Sequence, residues 1–169
     1  NKATIYNPQT NSWAEGSTMG TPRSEHTSTE LPDGRVLVVG GETSNANGNA
    51  ATASTETYNT ATNTWAATSP TSTERAGHTA TLLPDGRVLV VGGEKTQGGT
   101  STSLASAEIY NPVTNAWTTA GTMGTSRAGH TATLLPDGRV LIAGGETSGA
   151  NGTASTASTE TYNPATNTW

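Results

Sequence analysis

Residues 75–94 read RAGHTATLLPDGRVLVVGGE and residues 127–146 read RAGHTATLLPDGRVLIAGGE, so nearly the same stretch occurs twice, 52 positions apart. The segment LPDGRVLVVGGE at residues 31–42 supplies a third copy at the same spacing. The four tryptophans share this interval, at Trp13, Trp65, Trp117 and Trp169. A fixed period of this length indicates tandem units that bury apolar faces against one another. Function therefore has to be sought at positions that recur in every unit.

The stretch at 75–94 contains the first two predicted strands of a unit. Residues 78–83 form a run with high β propensity, and residues 87–91 form a second, strongly apolar run. Between them, Pro-Asp-Gly at 84–86 presets φ through its proline and provides positive φ through its glycine, which predicts a β-hairpin. The second run is apolar without alternation, which is typical of an interior strand covered on both faces.

Two further strands complete the unit. Residues 107–110 predict a third strand, residues 111–115 predict a turn, and Trp117 opens a fourth strand. Frequent Gly, Pro and Thr oppose long helices. A four-stranded antiparallel unit repeated in tandem is typical of a β-propeller blade. Polar segments that differ most between the copies are predicted to be surface loops, at 43–50, 95–102 and 147–153.

The recurring residues resemble the kelch motif. A pair of glycines ends each apolar run, a tyrosine follows, and a tryptophan stands seven positions after that tyrosine. The Arg-Ala-Gly-His lead-in is similar to that of bacterial kelch and galactose-oxidase-like propeller repeats. The resemblance covers the whole chain and implies an all-β fold of kelch-type β-propeller blades, each with four antiparallel strands. The motif positions are Tyr6, Trp13, Gly40, Gly41, Tyr58, Trp65, Gly92, Gly93, Tyr110, Trp117, Gly144, Gly145, Tyr162 and Trp169.

Packing explains why these residue types recur. Paired glycines allow a strand to approach neighbouring backbone where a Cβ would not fit. Tyr and Trp side chains fill the wider gap towards the outside of wedge-shaped blades. We therefore expect the motif positions to be structural.

The chain is expected to be a single repeat region with about three blades. Its predicted parts are a leading unit with the third and fourth strands of a preceding blade (1–22), a first blade (23–74), a second blade (75–126) and a third blade lacking most of its last strand (127–169). Propellers close with roughly four to eight blades, so these three predict a partial propeller. Its bare end faces favour either head-to-tail association of copies, as a ring or a filament, or completion by sequence outside 1–169.

Composition argues against several classes of protein. With 8 Lys and Arg against 13 Asp and Glu, the net charge of −5 does not suit a nucleic-acid partner. The absence of cysteine excludes disulfides and thiol chemistry in this sequence. No apolar stretch approaches the roughly 18 residues of a membrane-spanning helix, and no leader is visible. The Thr- and Ser-rich, weakly charged composition favours an extracellular or cell-surface location.

An arginine, and a histidine three positions after it, recur before each first strand. We expect them to hydrogen-bond the loops that join blades. Three imidazoles could bind a metal only if they converged at about 2 Å from the ion, and equivalent positions on successive blades are too far apart for that. Neither a metal nor a cofactor is expected. The positions are Arg23, His26, Arg75, His78, Arg127 and His130.

Two glutamates also recur in each unit. We expect them to pair with the arginines of the apolar strands, Arg35, Arg87 and Arg139, or to face water. A catalytic pair is not expected, because acid–base catalysis needs two carboxyls in different environments and repetition makes the environments alike. The positions are Glu42, Glu56, Glu94, Glu108, Glu146 and Glu160.

The sequence contains no recognised catalytic motif. The copper site of galactose-oxidase-like enzymes needs a Tyr cross-linked to a Cys, whereas this chain has no Cys and its four Tyr all occupy the motif position. A nucleophile elbow, a zinc-protease motif and a phosphate loop are also missing. Asn151-Gly152-Thr153 forms a glycosylation sequon, although such triplets arise easily in Asn- and Thr-rich segments.

These observations favour a non-enzymatic structural or interaction module that self-associates through open blade edges, with copies of itself as the main partner. Two alternatives stay open. One is a glycan- or small-ligand-binding propeller module that uses the variable segments 43–50, 95–102 and 147–153. The other is an excerpt of a larger galactose-oxidase-like secreted protein. A protein ligand would also fit, because a fold by itself does not supply a function.

Overall fold

The computed structural model describes residues 2–45, 48–149 and 152–169. Every regular element within these ranges is a β-strand, and none of the described residues lies in a helix. The strands are β1 (Lys2–Asn7), β2 (Ser12–Thr18), β3 (Thr27–Glu30), β4 (Val36–Val39), β5 (Glu42–Asn45), β6 (Gly48–Ala51), β7 (Thr55–Asn59), β8 (Thr64–Thr68), β9 (Thr79–Leu82), β10 (Val88–Val91), β11 (Glu94–Gln97), β12 (Thr100–Ser103), β13 (Ser106–Asn111), β14 (Ala116–Thr122), β15 (Thr131–Leu134), β16 (Val140–Ala143), β17 (Glu146–Gly149), β18 (Gly152–Ser155) and β19 (Thr159–Tyr162).

The principal sheets follow the predicted repeat. The first blade has the strand order β3-β4-β7-β8, and the second blade has the equivalent order β9-β10-β13-β14. The leading unit is the two-stranded sheet β1-β2, and the third blade has the order β15-β16-β19. All neighbouring strands are antiparallel. The expected all-β fold of four-stranded antiparallel blades is confirmed, and the sheets do not close into a ring.

The Pro-Asp-Gly turns fix the register of each first hairpin. In the second blade, Val88 lies opposite Leu82, and Leu83 and Arg87 flank the turn with a backbone hydrogen bond of 2.8 Å. Gly86 adopts φ 85°, which a residue with a Cβ rarely reaches. Asp85 Oδ1 accepts a hydrogen bond from the backbone N–H of Arg87. Local turn chemistry therefore favours the observed register of these two strands.

The prediction that the variable segments are loops is wrong. They form two-stranded hairpins, β5-β6, β11-β12 and β17-β18, outside the four-stranded sheets. In the second blade, Gly98 and Gly99 have φ of 61° and 79°, as a two-residue hairpin turn requires. Thr and Ser residues pair across such strands, so a polar composition concealed a strand pattern. Residues 46–47 and 150–151, which include Asn151 of the sequon, lie outside the described residues.

The hydrophobic core lies between blades and not within one sheet. Leu83 and Leu89 of the second blade belong to the same buried cluster as Val140, Ile142 and Tyr162 of the third blade. An equivalent cluster joins the first and second blades. Blades therefore stabilise one another by burying apolar side chains at their mutual faces.

The first strands of successive blades lie next to one another. β9 contacts both β3 and β15, whereas β8 and β14 form the opposite edges of their sheets. The added hairpins also pack in series, β6 against β11 and β12 against β17. The arc consequently has an inner edge of first strands and an outer rim of fourth strands.

Candidate functional site

In the first and second blades, the first glycine of each pair lies close to the backbone of the following blade, and the second lies close to the segment that enters its own blade. A Cβ on Gly92 would lie 2.6 Å from the Arg127 carbonyl oxygen, and a Cβ on Gly93 would lie 2.5 Å from the Ala76 carbonyl oxygen. Gly144 in the third blade has similar backbone geometry, but the nearest atom to a Cβ there would be 3.8 Å away. The steric demand at this position therefore comes from the following blade.

A buried ion pair recurs in each blade. The side chain of Arg75 is fully buried, and its Nη2 lies 2.7 Å from Glu108 Oε1. Its Nη1 donates to the carbonyl oxygen of Gly92 at 2.7 Å. Burial lowers the pKa of Arg75, and the charge of Glu108 opposes that shift. Equivalent ion pairs join Arg23 to Glu56 at 2.6 Å and Arg127 to Glu160 at 2.9 Å.

The glutamate of each pair also binds the segment that enters the blade. Glu108 Oε2 accepts a hydrogen bond of 2.8 Å from the backbone N–H of Ser72. Glu56 accepts bonds from the backbone N–H groups of Gly20 and Thr21. Each carboxylate thus holds both a buried cation and a connecting segment of backbone.

The expectation that the recurring glutamates pair with Arg35, Arg87 and Arg139 or face water is wrong for Glu56 and Glu108, which are buried. Those three guanidinium groups form ion pairs of 2.7 Å with the aspartates of their own turns. The aspartate stands two residues before the arginine, so the tight turn brings the two side chains together locally. These aspartates are Asp33, Asp85 and Asp137.

The recurring histidines join neighbouring blades. His78 Nε2 lies 2.8 Å from Thr27 Oγ1 of the first blade, and His130 Nε2 lies 2.9 Å from Thr79 Oγ1 of the second. Burial, followed by the charges of Arg75 and nearby histidines, lowers the pKa of His78 to about 3. Burial and then the charge of Arg127 lower the pKa of His130 to about 4. Both imidazoles are therefore neutral at physiological pH.

Three carboxylates, and not the histidines, come close enough together to share an ion. The ligand oxygens of Glu25, Glu42 and Glu94 all lie within 4.8 Å of one another. Burial, followed by the charges of Glu42 and Glu94, raises the pKa of Glu25. Carboxylate oxygens are the ligands that Ca²⁺ and Mg²⁺ prefer.

Glu25 is a site residue that the sequence reasoning missed. It has φ 53°, whereas the equivalent positions in the next two blades are Gly77 and Gly129, with φ of 59° and 61°. The signal was present in the sequence, because Arg-Ser-Glu-His replaces Arg-Ala-Gly-His in the first blade only.

A recurring asparagine was also missed. Asn63 Oδ1 accepts hydrogen bonds from Tyr58 Oη at 2.9 Å and from the backbone N–H of Ser17 at 2.8 Å. Asn115 makes the equivalent bonds with Tyr110 and Ser69. Each asparagine therefore ties the tyrosine of its own blade to the preceding unit. The constant distance of five residues from Tyr to Asn was the available signal.

The motif tryptophans contact the preceding unit as well. Trp117 Nε1 donates to the Ser69 carbonyl oxygen at 2.7 Å, and Trp65 Nε1 donates to the Ser17 carbonyl oxygen at 3.0 Å. Each ring lies about 5 Å from the tyrosine ring of its own blade, at a tilted angle. Trp13 has the same tyrosine contact but is 68% exposed.

No helix among the described residues combines the length and apolar character needed to cross a membrane.

Comparisons with known proteins agree with this architecture. No curated protein matches the chain in sequence. The solved structure described as "Structure of YjhT" is similar over 80% of this chain, with a TM-score of 0.68 and 21% identity. The chain spans about half of that structure, 48% of its length, and at this identity the likeness shows the fold alone.

The family model described as "KLHDC2/KLHL20/DRC7 Kelch-repeats domain" matches residues 1–169. The match covers the leading unit and all three blades, including every glycine pair, tyrosine and tryptophan of the recurring motif. The resemblance to kelch repeats is thereby confirmed, and this chain belongs to the kelch-repeat β-propeller family.

Proposed function

We propose that this chain is a non-enzymatic interaction module that associates head to tail with a second copy of itself through its end faces. Kelch-repeat domains generally serve as protein-interaction modules, which supports the broader part of the proposal. The recurrence of one blade-to-blade interface supports the narrower part. A surface already used twice within the chain can be used again between chains.

The outward face of the third blade carries the proposal. In the second blade, Leu83 and Leu89 are 2% and 0% exposed because the third blade covers them. Their counterparts in the third blade, Leu135 and Leu141, are only partly buried. The same apolar face is therefore present a third time, without the blade that covers it in the other two cases.

The leading unit offers an apolar surface at the opposite end. Ile5, Tyr6 and Trp13 are 40%, 44% and 68% exposed. Tyr58 and Tyr110, the counterparts of Tyr6 in the first and second blades, are buried. The chain therefore has an exposed apolar surface at each end. Head-to-tail association would bring these two different surfaces together.

The mass of the purified chain in solution tests the proposal. We expect light scattering across a wide concentration range to give a mass above that of one chain. Leu141→Asp should return the protein to a monomer, because it places a charge on the outward face. Val113→Asp is the matched control, since Val113 is 92% exposed in a turn away from the end faces. A wild-type mass equal to one chain at every concentration would contradict self-association.

We also propose an extracellular or cell-surface location. The Thr- and Ser-rich composition with few charges supports it. Antibody labelling of intact cells of the native host, compared with lysed cells, tests the location. Signal that appears only after lysis would count against it.

A further inference from the structure

Two equivalent clefts open on the outer rim, at successive blade junctions. The cleft between the leading unit and the first blade contains Trp65, Glu56 and Ala67, and its volume is about 480 Å³. The cleft between the first and second blades contains the matching residues Trp117, Glu108 and Thr119, with a volume of about 460 Å³. We call these two spaces the rim clefts.

The rim clefts arise from the geometry of the arc. Neighbouring blades diverge towards the rim, and the tryptophan fills only part of the widening gap. Two residues after each tryptophan, on the same face of the fourth strand, stands a small exposed side chain, Ala67 or Thr119. These small side chains leave the outer part of the gap open to solvent.

The chemistry of the rim clefts is amphipathic. Each indole N–H is already bonded to a carbonyl oxygen of the preceding unit, so the exposed part of each ring is an apolar surface. Beside it lies a carboxylate that is 4–5% exposed, from Glu56 or Glu108. Hydroxyl groups of the neighbouring Ser and Thr residues complete the lining. Glu56 Oε2 accepts one protein hydrogen bond, from Gly20, and a carboxylate oxygen can accept a second.

We propose that each rim cleft binds one neutral pyranose unit of a carbohydrate. A pyranose ring has an apolar C–H face suited to the indole and hydroxyl groups suited to the carboxylate and the Ser and Thr hydroxyls. The described lining residues of the two clefts include no lysine, arginine or histidine, so the carboxylate of a uronic acid would find no counter-charge there. Two clefts related by the repeat allow a branched or extended glycan to bind with higher avidity than a monosaccharide.

This site differs from the variable segments that the sequence suggested for glycan binding. The described parts of hairpins β5-β6, β11-β12 and β17-β18 contain Ser, Thr and other polar residues but no aromatic side chain. They therefore lack an apolar platform for a sugar ring. The proposal is also independent of self-association, because the rim clefts lie between blades of one chain.

Residue-resolved NMR tests the proposal on the intact chain. Methyl glycosides of glucose, galactose and mannose, and oligosaccharides of each, are titrated while the four indole N–H signals are followed. We expect the signals of Trp65 and Trp117 to move and that of Trp13 to stay. Glucuronic acid should bind at least tenfold more weakly than glucose if glucose is the ligand.

Two substitutions on exposed positions block the clefts. Ala67→Arg with Thr119→Arg should abolish the shifts, and Thr119→Arg alone should remove those of Trp117 and leave those of Trp65. Val113→Arg, outside both clefts, is the matched control and should bind as the wild type does. If the double variant fails to fold, the indole shifts of the wild-type chain still test the proposal. Absence of any shift with every sugar, or binding that the double variant retains, would overturn the proposal.

Discussion

At the scale of single residues, the buried Arg–Glu pairs are the groups most sensitive to change. Glu108 neutralises Arg75, whose side chain has no exposure to water. The pair at the Asp85–Arg87 turn has the same length but is about half and one-third exposed. Burial, and not distance, therefore separates a structurally critical pair from a peripheral one.

Glu108→Gln is expected to destabilise the chain by about 3–5 kcal/mol, because it leaves the buried guanidinium without a counter-charge. Asp85→Asn removes a charge from an exposed pair of equal length and should cost less than about 1 kcal/mol. Urea unfolding of both variants measures the difference. Equal losses for the two substitutions would refute the assignment of Glu108 as the critical partner.

Glu25→Gly is expected to stabilise the chain by about 1 kcal/mol, because Glu25 holds a left-handed backbone conformation that glycine adopts without strain. Removing one of three close carboxylates acts in the same direction. Glu25→Gln separates the two effects, since it removes the charge and keeps the backbone strain. Thermal unfolding is the measurement, and a lower Tm for Glu25→Gly would contradict the prediction.

At the scale of elements, each blade depends on how closely the next one approaches. The glycine pair stands at the end of the second strand, where backbone from two blades converges. The tryptophan stands at the start of the fourth strand and contacts the preceding unit. Contacts at strand ends thus add to the apolar contacts between blade faces.

Gly92→Ala should destabilise the chain much more than Gly144→Ala. Both glycines have positive φ, 59° and 67°, so both alanines carry a conformational cost of about 1 kcal/mol. Only at Gly92 would the new Cβ collide with the carbonyl oxygen of Arg127. Denaturant unfolding of the two variants measures the difference in stability that is due to contact between blades. Similar losses of stability at both sites would contradict a close contact at Gly92.

Trp117→Ala is expected to cost at least about 2 kcal/mol, because it removes a half-buried ring and the hydrogen bond to Ser69. Trp13→Ala is the natural control, since Trp13 has an equivalent tyrosine contact but is 68% exposed. It should cost less than about 1 kcal/mol. The midpoints of urea unfolding measure both losses of stability. A larger loss for Trp13→Ala than for Trp117→Ala would contradict a contribution from contact between blades.

At the scale of the whole molecule, stability depends on contacts between blades that are repeated along the arc. The apolar clusters lie at blade faces, and the histidine–threonine bonds cross the same interfaces. A change that acts on every interface at once should therefore loosen the entire arc.

Acidification is expected to weaken both blade interfaces, because a buried histidine lies at each of them. The folded-state pKa values of His78 and His130, about 3 and 4, lie below the ordinary value of 6.5. Protons therefore bind the unfolded chain first. The contribution of these residues is complete above pH 6.5 and is lost as the pH falls, towards 4 for His130 and towards 3 for His78. We expect Tm to decrease over this window. The variant His78→Gln with His130→Gln should show a shallower decrease, and an unchanged slope would exclude the histidines as its cause.

The repeat and the strands of the four-stranded sheets could be predicted from the sequence because they depend on local chemistry. Pro-Asp-Gly turns, an apolar run and a fixed period of 52 residues predict hairpins at 78–91 whatever surrounds them. The hairpin β11-β12 escaped prediction because its Thr- and Ser-rich sequence has the composition of a loop. The turn signal, Gly98 and Gly99, was present. The residues on either side of it do not alternate between apolar and polar side chains, which is the pattern that would have identified two strands.

Only the tertiary structure decided which side chains pair and where clefts open. The sequence determined that Arg75 and Glu108 recur together, but 33 residues separate them, and their contact depends on how two strands and an incoming segment pack. The gathering of Glu25, Glu42 and Glu94 likewise requires two blades to meet. Periodicity specifies the repeating unit, whereas the angle at which units pack sets every contact between them, because such contacts involve residues far apart in the chain.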